Sequence, residues 1–351
     1  MVKKILLISN LYPSKEYPEY GTFVKEFVTG LTDLGWDITK IVLIKKNDKF
    51  RKLLSYASFL FKSWVYLNFS NNDITYIHYA SHSTIPLLFS KKQKFLVVNV
   101  HGSDVLPNNE RQKYFSYFTK NAVQKANMIV VPSKYFKKVV LKKYNVPSEK
   151  IFISASGGVD ETFFQKRSFK YQKHTMTIGF VGRIESVKGW QTFLESLQKI
   201  TIDDTKFLIF GSGSQEKELK QKIKITDNPN IKYMGHVGHN ELGKVYQSFD
   251  WLILPSKRES LGLVGIEAMA MGTPIIASDI DGIKTYAVHK KNSLLFNPGD
   301  SKQLADYISL AKQMDYSEWE SYSNQAVRTA TNYEKSTVMR QLNEKLLECI
   351  R

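Results

Sequence analysis

Cysteine is nearly absent: the one copy, Cys349, stands third from the end of the 351 residues, so no intramolecular disulfide and no cysteine metal cluster can form. Such usage suits a reducing compartment, and a cytoplasmic location is expected. No window approaches eighteen uninterrupted apolar residues, so a membrane-spanning helix is not expected. The opening MVKKILLISN has two lysines and a short apolar run. Asn10, Tyr12 and Pro13 follow it without a small-residue cleavage site, and it reads as a buried first strand, not as a secretion signal. There is no Walker A lysine loop and no HExxH pair, and FGSGSQEKEL lacks the third glycine of a dinucleotide fingerprint. P-loop chemistry, zincin-type metal sites and NAD are disfavoured accordingly. No repeat of solenoid length is present either.

Acid is scarce in the first half. Residues 1–150 hold 24 Lys and Arg against 10 Asp and Glu, whereas the remainder holds 26 against 23, so most of the +17 formal charge sits in the first half. A field of that sign attracts anionic lipid, nucleic acid or acidic substrates, and charge alone does not choose among them.

What is present is a twice-repeated alternation of short β-branched runs with longer amphipathic ones, the pattern of parallel sheets covered by helices. Strands are expected at KKILLIS, ITKIVLI, ITYIHY, FLVVNVHG, NMIVVPS and KIFISAS, and again at MTIGFVGR, TKFLIFGSG, IKYMGHV, WLILPS, TPIIAS and SLLFNP. The fold class is α/β, two Rossmann-like domains with parallel sheets facing across a cleft, where open sheets bind ligands. A polar, basic linker is expected near residues 163–175. The domains are set at 1–167 and 168–332, with the terminal helical run 333–351 either capping the second or packing back on the first.

The chemistry-bearing stretch is RESLGLVGIEAMAMGTPIIAS, with Glu259 in a loop, Glu267 within the following helix and Gly272 as its C-terminal glycine. Gly262 and Gly265 permit close backbone approach near the helix start, whose free N–H groups suit a diphosphate. A carboxylate beside such a site accepts bonds from sugar or ribose hydroxyls, so the two glutamates could hold the two ends of a nucleotide sugar. The alternative is a solvated loop charge and a surface helix residue. In GFVGRIESVKGW, Arg183 and Lys188 lie five positions apart around a strand-to-helix turn and could neutralise a leaving diphosphate; two exposed basic residues would look the same. VNVHGSDV puts His101 and Asp104 just past a buried strand, facing the cleft or bonded structurally. YPSKEYPEYGTFVKEF ends a loop at Gly21 and Thr22, which open a helix. Asp279 and Asp281 in SDIDG are spaced like a carboxylate pair but read better as structural, and no metal is expected.

Together these stretches resemble the family 4 retaining glycosyltransferases of the GT-B fold, of the bacterial surface-polysaccharide type, over nearly the whole chain. The resemblance rests on the E-x7-E pattern from Glu259 to Glu267 with AMAMGTPIIAS, on VGRIESVKG, on GGVD at 157–160, and on the YPS…PEYGTFVKEF and HGSDV loops. It implies that Arg183 and Lys188 bind the donor diphosphate, aided by backbone amides near Gly262 and Leu263. It also implies that Glu259 meets the transferred sugar and Glu267 the ribose. His101 would lie beside the reacting sugar with Asp104 in the acceptor or sugar vicinity, while Gly21 and Thr22 would border the donor phosphates and acceptor. No cofactor is implied beyond the nucleotide-sugar donor, UDP-linked by preference, and the acceptor would be a glycan or a lipid-linked one. After SDIDG the chain departs from the family's usual Gly, Pro and Glu with Asp281, Lys284 and Thr285, so sugar choice is the property in question.

KFRKLLSYASFLFKSWVYLNF, residues 49–69, combines Lys49, Arg51, Lys52 and Lys62 with aromatics including Trp64 in a helical length. It suits either a core-facing helix or one lying on an anionic membrane, at the inner face for a cytoplasmic enzyme. Two readings of other classes remain. A nucleic-acid-binding protein would use the basic half but lacks any recognition signature, so no nucleic-acid partner is expected. A nucleotide-sugar epimerase would use the same fold without an acceptor.

Overall fold

The computed structural model describes residues 3–18, 20–107, 109–164, 175–201 and 204–350. The chain divides into two compact units, Met1–Gly158 with Ser336–Arg351, and Val159–Lys335.

The first unit holds six parallel strands: β1 (Lys3–Ser9), β2 (Trp36–Val42), β3 (Ile74–His78), β4 (Leu96–Asn99), β5 (Met128–Val131) and β6 (Ile151–Ile153), in the order β2-β1-β3-β4-β5-β6. Successive side chains of a strand leave opposite faces, and β1 shows the consequence. Leu6 and Ile8 enter one core with Ile77, Val98 and Phe136, while Ile5 and Leu7 enter the other with Val24, Phe27 and Tyr76. The second core is completed by the last helix, Lys335–Glu348. Its Met339, Leu342 and Leu346 are buried there, each worth about 1.5–3 kcal/mol relative to exposure. Gly30 permits that docking, since a Cβ on it would lie 2.9 Å from Met339 Cε, and Trp36 Nε1 donates to Asn343 Oδ1 at 2.7 Å.

The second unit repeats the architecture with β7 (Met176–Val181), β8 (Thr205–Phe210), β9 (Ile231–Gly235), β10 (Trp251–Leu254), β11 (Ile275–Ser278) and β12 (Ser293–Phe296), ordered β12-β11-β10-β7-β8-β9. Phe180, Phe193, Phe207, Trp190 and Trp251 form the centre of its main core.

The division falls at Gly158/Val159, earlier than the expected 167/168. Residues 159–163 already belong to the second unit: Val159 N–H donates to the Tyr333 carbonyl at 2.7 Å, and buried Phe163 packs its ring on His239 and Tyr246. At the other end the return to the first unit begins at Ser336. The linker expected at 163–175 lies mainly at 165–174, outside the described residues.

Candidate active site

In the second sheet the strand order reverses between β7 and β10, the place where loops diverge and leave a crevice beyond the strand ends. Two loops leave that point, and their backbones are stitched together. Gly189 has φ of 72°, and a Cβ on it would sit 1.8 Å from the Pro255 carbonyl oxygen, so only glycine fits. Lys257 N–H donates to the Val187 carbonyl at 2.9 Å. This brings together two residues 71 positions apart: Lys188 Nζ donates to Glu259 Oε1 at 2.6 Å, with side-chain exposures of 22% and 14%. Ser256 Oγ donates to the same oxygen at 2.9 Å. Both bonds end on Oε1, so Oε2 remains an acceptor for a ligand hydroxyl.

The helix Leu263–Ala270 starts beside this pair. Its cap, Gly262, is left-handed with φ of 84°, and the Tyr286 hydroxyl donates to the Gly262 carbonyl at 3.0 Å. A Cβ on Gly265 would meet the Tyr286 hydroxyl at 2.3 Å and Leu254 Cδ1 at 2.7 Å, which is why small residues stand where the helix seats on β10. The first-turn N–H groups at Leu263 and Val264 have no intrahelical acceptor, and no acid occupies that turn, so the terminus presents partial positive charge. One turn on, Glu267 accepts the Tyr246 hydroxyl at 2.8 Å. Burial, then the Glu267 charge, pushes the Tyr246 pKa far up, so the phenol remains a donor. Gly272, φ 75°, follows the end of the helix.

Arg183 stands exposed on the loop after β7. Nearby Glu185 has its pKa lowered, chiefly by the Ser214 N–H, with the Arg183 charge contributing. Lys188, Glu259, Gly262 and Leu263 are thus brought together, while among the described residues Arg183 makes no hydrogen bond to the Lys188–Glu259 pair. Asp279 and Asp281 both face Lys284, at 2.8 and 3.6 Å, as solvent-exposed ion pairs.

In the first sheet the order reverses between β1 and β3. Gly21 caps the helix Thr22–Asp33 with φ of 81°; a Cβ there would lie 2.7 Å from the Leu11 carbonyl carbon and 2.8 Å from Tyr12 N. The helix start is therefore pressed onto the loop after β1, and Phe23 reaches His101, ring centroids 4.4 Å apart. His101 Nε2 and His78 Nδ1 are 3.1 Å apart. Burial pushes the His101 pKa down to about 3 and lowers that of His78 as well, so both imidazoles are neutral near pH 7. His78 Nε2 is buried without a hydrogen-bond partner, and an orphaned N–H costs more than an orphaned lone pair. The shared proton accordingly belongs on His78 Nδ1, which leaves His101 with its own proton on Nδ1 as a donor.

Asp104, expected in the acceptor or sugar vicinity, has its carboxylate taken up by the backbone. It is 4% exposed, and its carboxylate accepts backbone N–H groups of Ala80, His101, Gly102 and Val105 at 2.8–3.1 Å. Burial raises its pKa against those bonds, and its work is to hold the loop that carries His101.

Ser256, Tyr246, Tyr286, Phe23 and His78 were not singled out by the sequence. Ser256, three residues before Glu259, ends the expected strand WLILPS just ahead of the recognised stretch and could have been found. His78 reads only as one more position of a buried strand. Tyr79 ends that strand at φ 62°, a left-handed conformation unusual for a bulky residue, and shares a 2.5 Å hydrogen bond with Ser103.

Two nucleotide-binding-type sheets, one with a paired lysine and glutamate beside an open helix terminus, define a two-domain transferase of the GT-B class. The chain belongs to the family 4 glycosyltransferases: residues 21–157 match the family model Glycosyltransferase Family 4, and residues 161–329 match Glycosyl transferases group 1. It is 28% identical over 189 residues to an uncharacterized glycosyltransferase of Methanocaldococcus jannaschii, covering 50% of this chain and about half, 48%, of that relative. To the O-antigen chain mannosyltransferase RfbU of Salmonella typhimurium it is 27% identical over 80% of this chain and 78% of the relative. The fold is that of HepE from Anabaena, solved in complex with UDP, with a TM-score of 0.75 over 99% of this chain and 100% of that one at 16% identity.

Proposed function

We propose that this glycosyltransferase moves a hexosyl residue, with retention of anomeric configuration, from a nucleotide diphosphate sugar to a glycan or lipid-linked acceptor of a bacterial surface polysaccharide. The Lys188–Glu259 pair at the switch point of the second sheet carries the reading, because it sets a cation and a hydroxyl acceptor side by side at a helix terminus suited to phosphate. In this assignment Lys188, Arg183 and the amides near Gly262 and Leu263 take the diphosphate. Glu259 takes the sugar hydroxyls and Glu267 the ribose. His101, neutral, donates a hydrogen bond in the first unit, where the Gly21–Thr22 turn also serves.

As the bond from the anomeric carbon to the donor phosphate oxygen breaks, its electron pair goes to that oxygen. The acceptor hydroxyl forms the new bond on the same face and its proton passes to the leaving phosphate. Charge grows on the diphosphate, and fixed cations stabilise it there, so no metal is needed in this scheme. A UDP donor is favoured by the UDP found in HepE, and a surface-glycan product by relatives such as RfbU.

In the same reading the enzyme works in the cytoplasm at the inner face of a membrane. Among the described residues no helix is long and apolar enough to cross a membrane. Lys49, Arg51, Lys52 and Trp64 are all exposed on the helix Lys49–Phe69, which buries only Phe59, Ser63 and Leu67, so an outward face of cations and aromatics is left for a bilayer. A thermal-shift screen with UDP, GDP and ADP sugars, with and without EDTA, tests the donor half. A rise with one donor that survives EDTA is expected; a flat response to all three would overturn it.

A further inference from the structure

Between the edge strand β2 and the helix Lys49–Phe69 lies an open groove of about 650 Å³, in the size range of ligand pockets. Lys46 and Lys62 line it and no acidic residue does. Lys40 also borders it, but its ammonium lies over the Tyr12 ring on the other face of the sheet, and among the described residues neither Lys46 nor Lys62 is in a salt bridge. Like charges gathered around one concavity repel, and an anion seated among them relieves that repulsion. The rest of the wall is of another kind: Ile44, Leu54 and Tyr66 line the same groove and are 38%, 54% and 38% exposed.

An inorganic anion would use the lysines and leave that apolar wall unused. Leu54 also belongs to the helix's outward row with Phe50 and Phe61, at spacings of four and seven that place all three on one face. The row continues into the contacting rings of Phe61, Trp64 and Phe69. Apolar groove wall and apolar outer surface are therefore continuous, as they must be if one molecule has its charged end in the groove and its chain in the medium that the outer surface enters.

We propose that this groove is a binding site for the phosphate head group of an anionic phospholipid of the bilayer, with Lys46 and Lys62 beside the phosphate and Ile44, Leu54 and Tyr66 against its first chain carbons. The proposal rests on the membrane-facing part of the function above. It adds a defined head-group site to what would otherwise be a diffuse attraction between a basic domain and a charged surface.

The test is co-sedimentation of the full chain with vesicles of phosphatidylglycerol and phosphatidylcholine, and with phosphatidylcholine alone. Two double variants are compared: Lys46→Ala/Lys62→Ala in the groove, and Lys134→Ala/Lys138→Ala, which removes equal charge from an exposed face of the helix Lys134–Tyr144. Thermal unfolding confirms that each is folded, and transfer to a soluble acceptor is expected to be unchanged in the groove variant. Binding of the wild type to the anionic vesicles only is expected. The groove variant should bind roughly 25-fold more weakly, at about fivefold per lysine, and the control by much less. Equal loss in the two variants, or no loss in the groove variant, overturns the head-group site and leaves the membrane reading standing. A wild type that binds neither vesicle overturns both. A monomeric short-chain phosphatidylglycerol should perturb the amide signals of Lys62 and Tyr66 at concentrations where inorganic phosphate does not; equal perturbation by phosphate would overturn the lipid assignment.

Discussion

The two sheets place their reversal points in similar positions and furnish them in opposite ways. In the second unit the contact is between full charges, Lys188 and Glu259, held by backbone stitching and still partly open to solvent. In the first, His78 at the end of β3 and His101 on the loop after β4 are two imidazoles that burial keeps neutral, and that loop's carboxylate, Asp104, is bonded to four backbone amides. One end keeps a charged pair partly open to solvent and the other excludes ionisation. The same parallel-sheet frame supports both, because what differs lies at the strand ends and in the loops beyond them.

That contrast can be broken experimentally. Lys188→Ala should act most strongly, lowering kcat/KM by about 10²–10³-fold, since a fixed cation facing a developing phosphate charge is removed; a single-turnover transfer assay reads it. A loss below tenfold would mean that the ionic end is not where charge develops. Gly189→Ala should destabilise the fold by about 2–4 kcal/mol in urea unfolding, because its Cβ meets the Pro255 carbonyl at 1.8 Å and its φ is 72°. Glu267→Gln should weaken donor binding about tenfold by calorimetry, since the amide keeps only one acceptor oxygen where the carboxylate has two.

The smallest effect expected is an absence of change. With its pKa at about 3, His101 is neutral throughout pH 5–8, and its ring-proton NMR shifts should stay constant there. A titration near pH 6.5 would erase the contrast between the two ends. The linkage sign follows from the same depression. As pH falls below about 6.5 the unfolded chain takes up protons that the folded histidines refuse, so their contribution to stability is full above that pH and declines toward about 3. Asp104, whose pKa is raised, opposes this decline.

All twelve strands could be anticipated from sequence, since strands buried on both faces must be short β-branched runs and little else gives that pattern. The unit boundary was misplaced because GGVDETFF has no apolar period, and the tie of Val159 to Tyr333 spans residues that no local pattern connects. Glu259 and Lys188 were each recognisable within a motif, but their contact was not, because it depends on the left-handed Gly189 bringing two loops together. The backbone bonding of Asp104 was not legible for a chemical reason. A carboxylate five residues beyond a strand looks the same in sequence whether its partners are amides or a ligand.

The return of residues 336–351 to the first unit also bears on the order in which the molecule is made. Synthesis delivers β1 early, but Met339, Leu342 and Leu346, which cover Ile5 and Leu7, emerge only after the whole second unit has been translated. The first unit is therefore begun before the second and completed after it. Until residues 336–351 have emerged, that face of its sheet has only the helix Thr22–Asp33 to cover it, and in the cell that interval is when a chaperone would have most to hold.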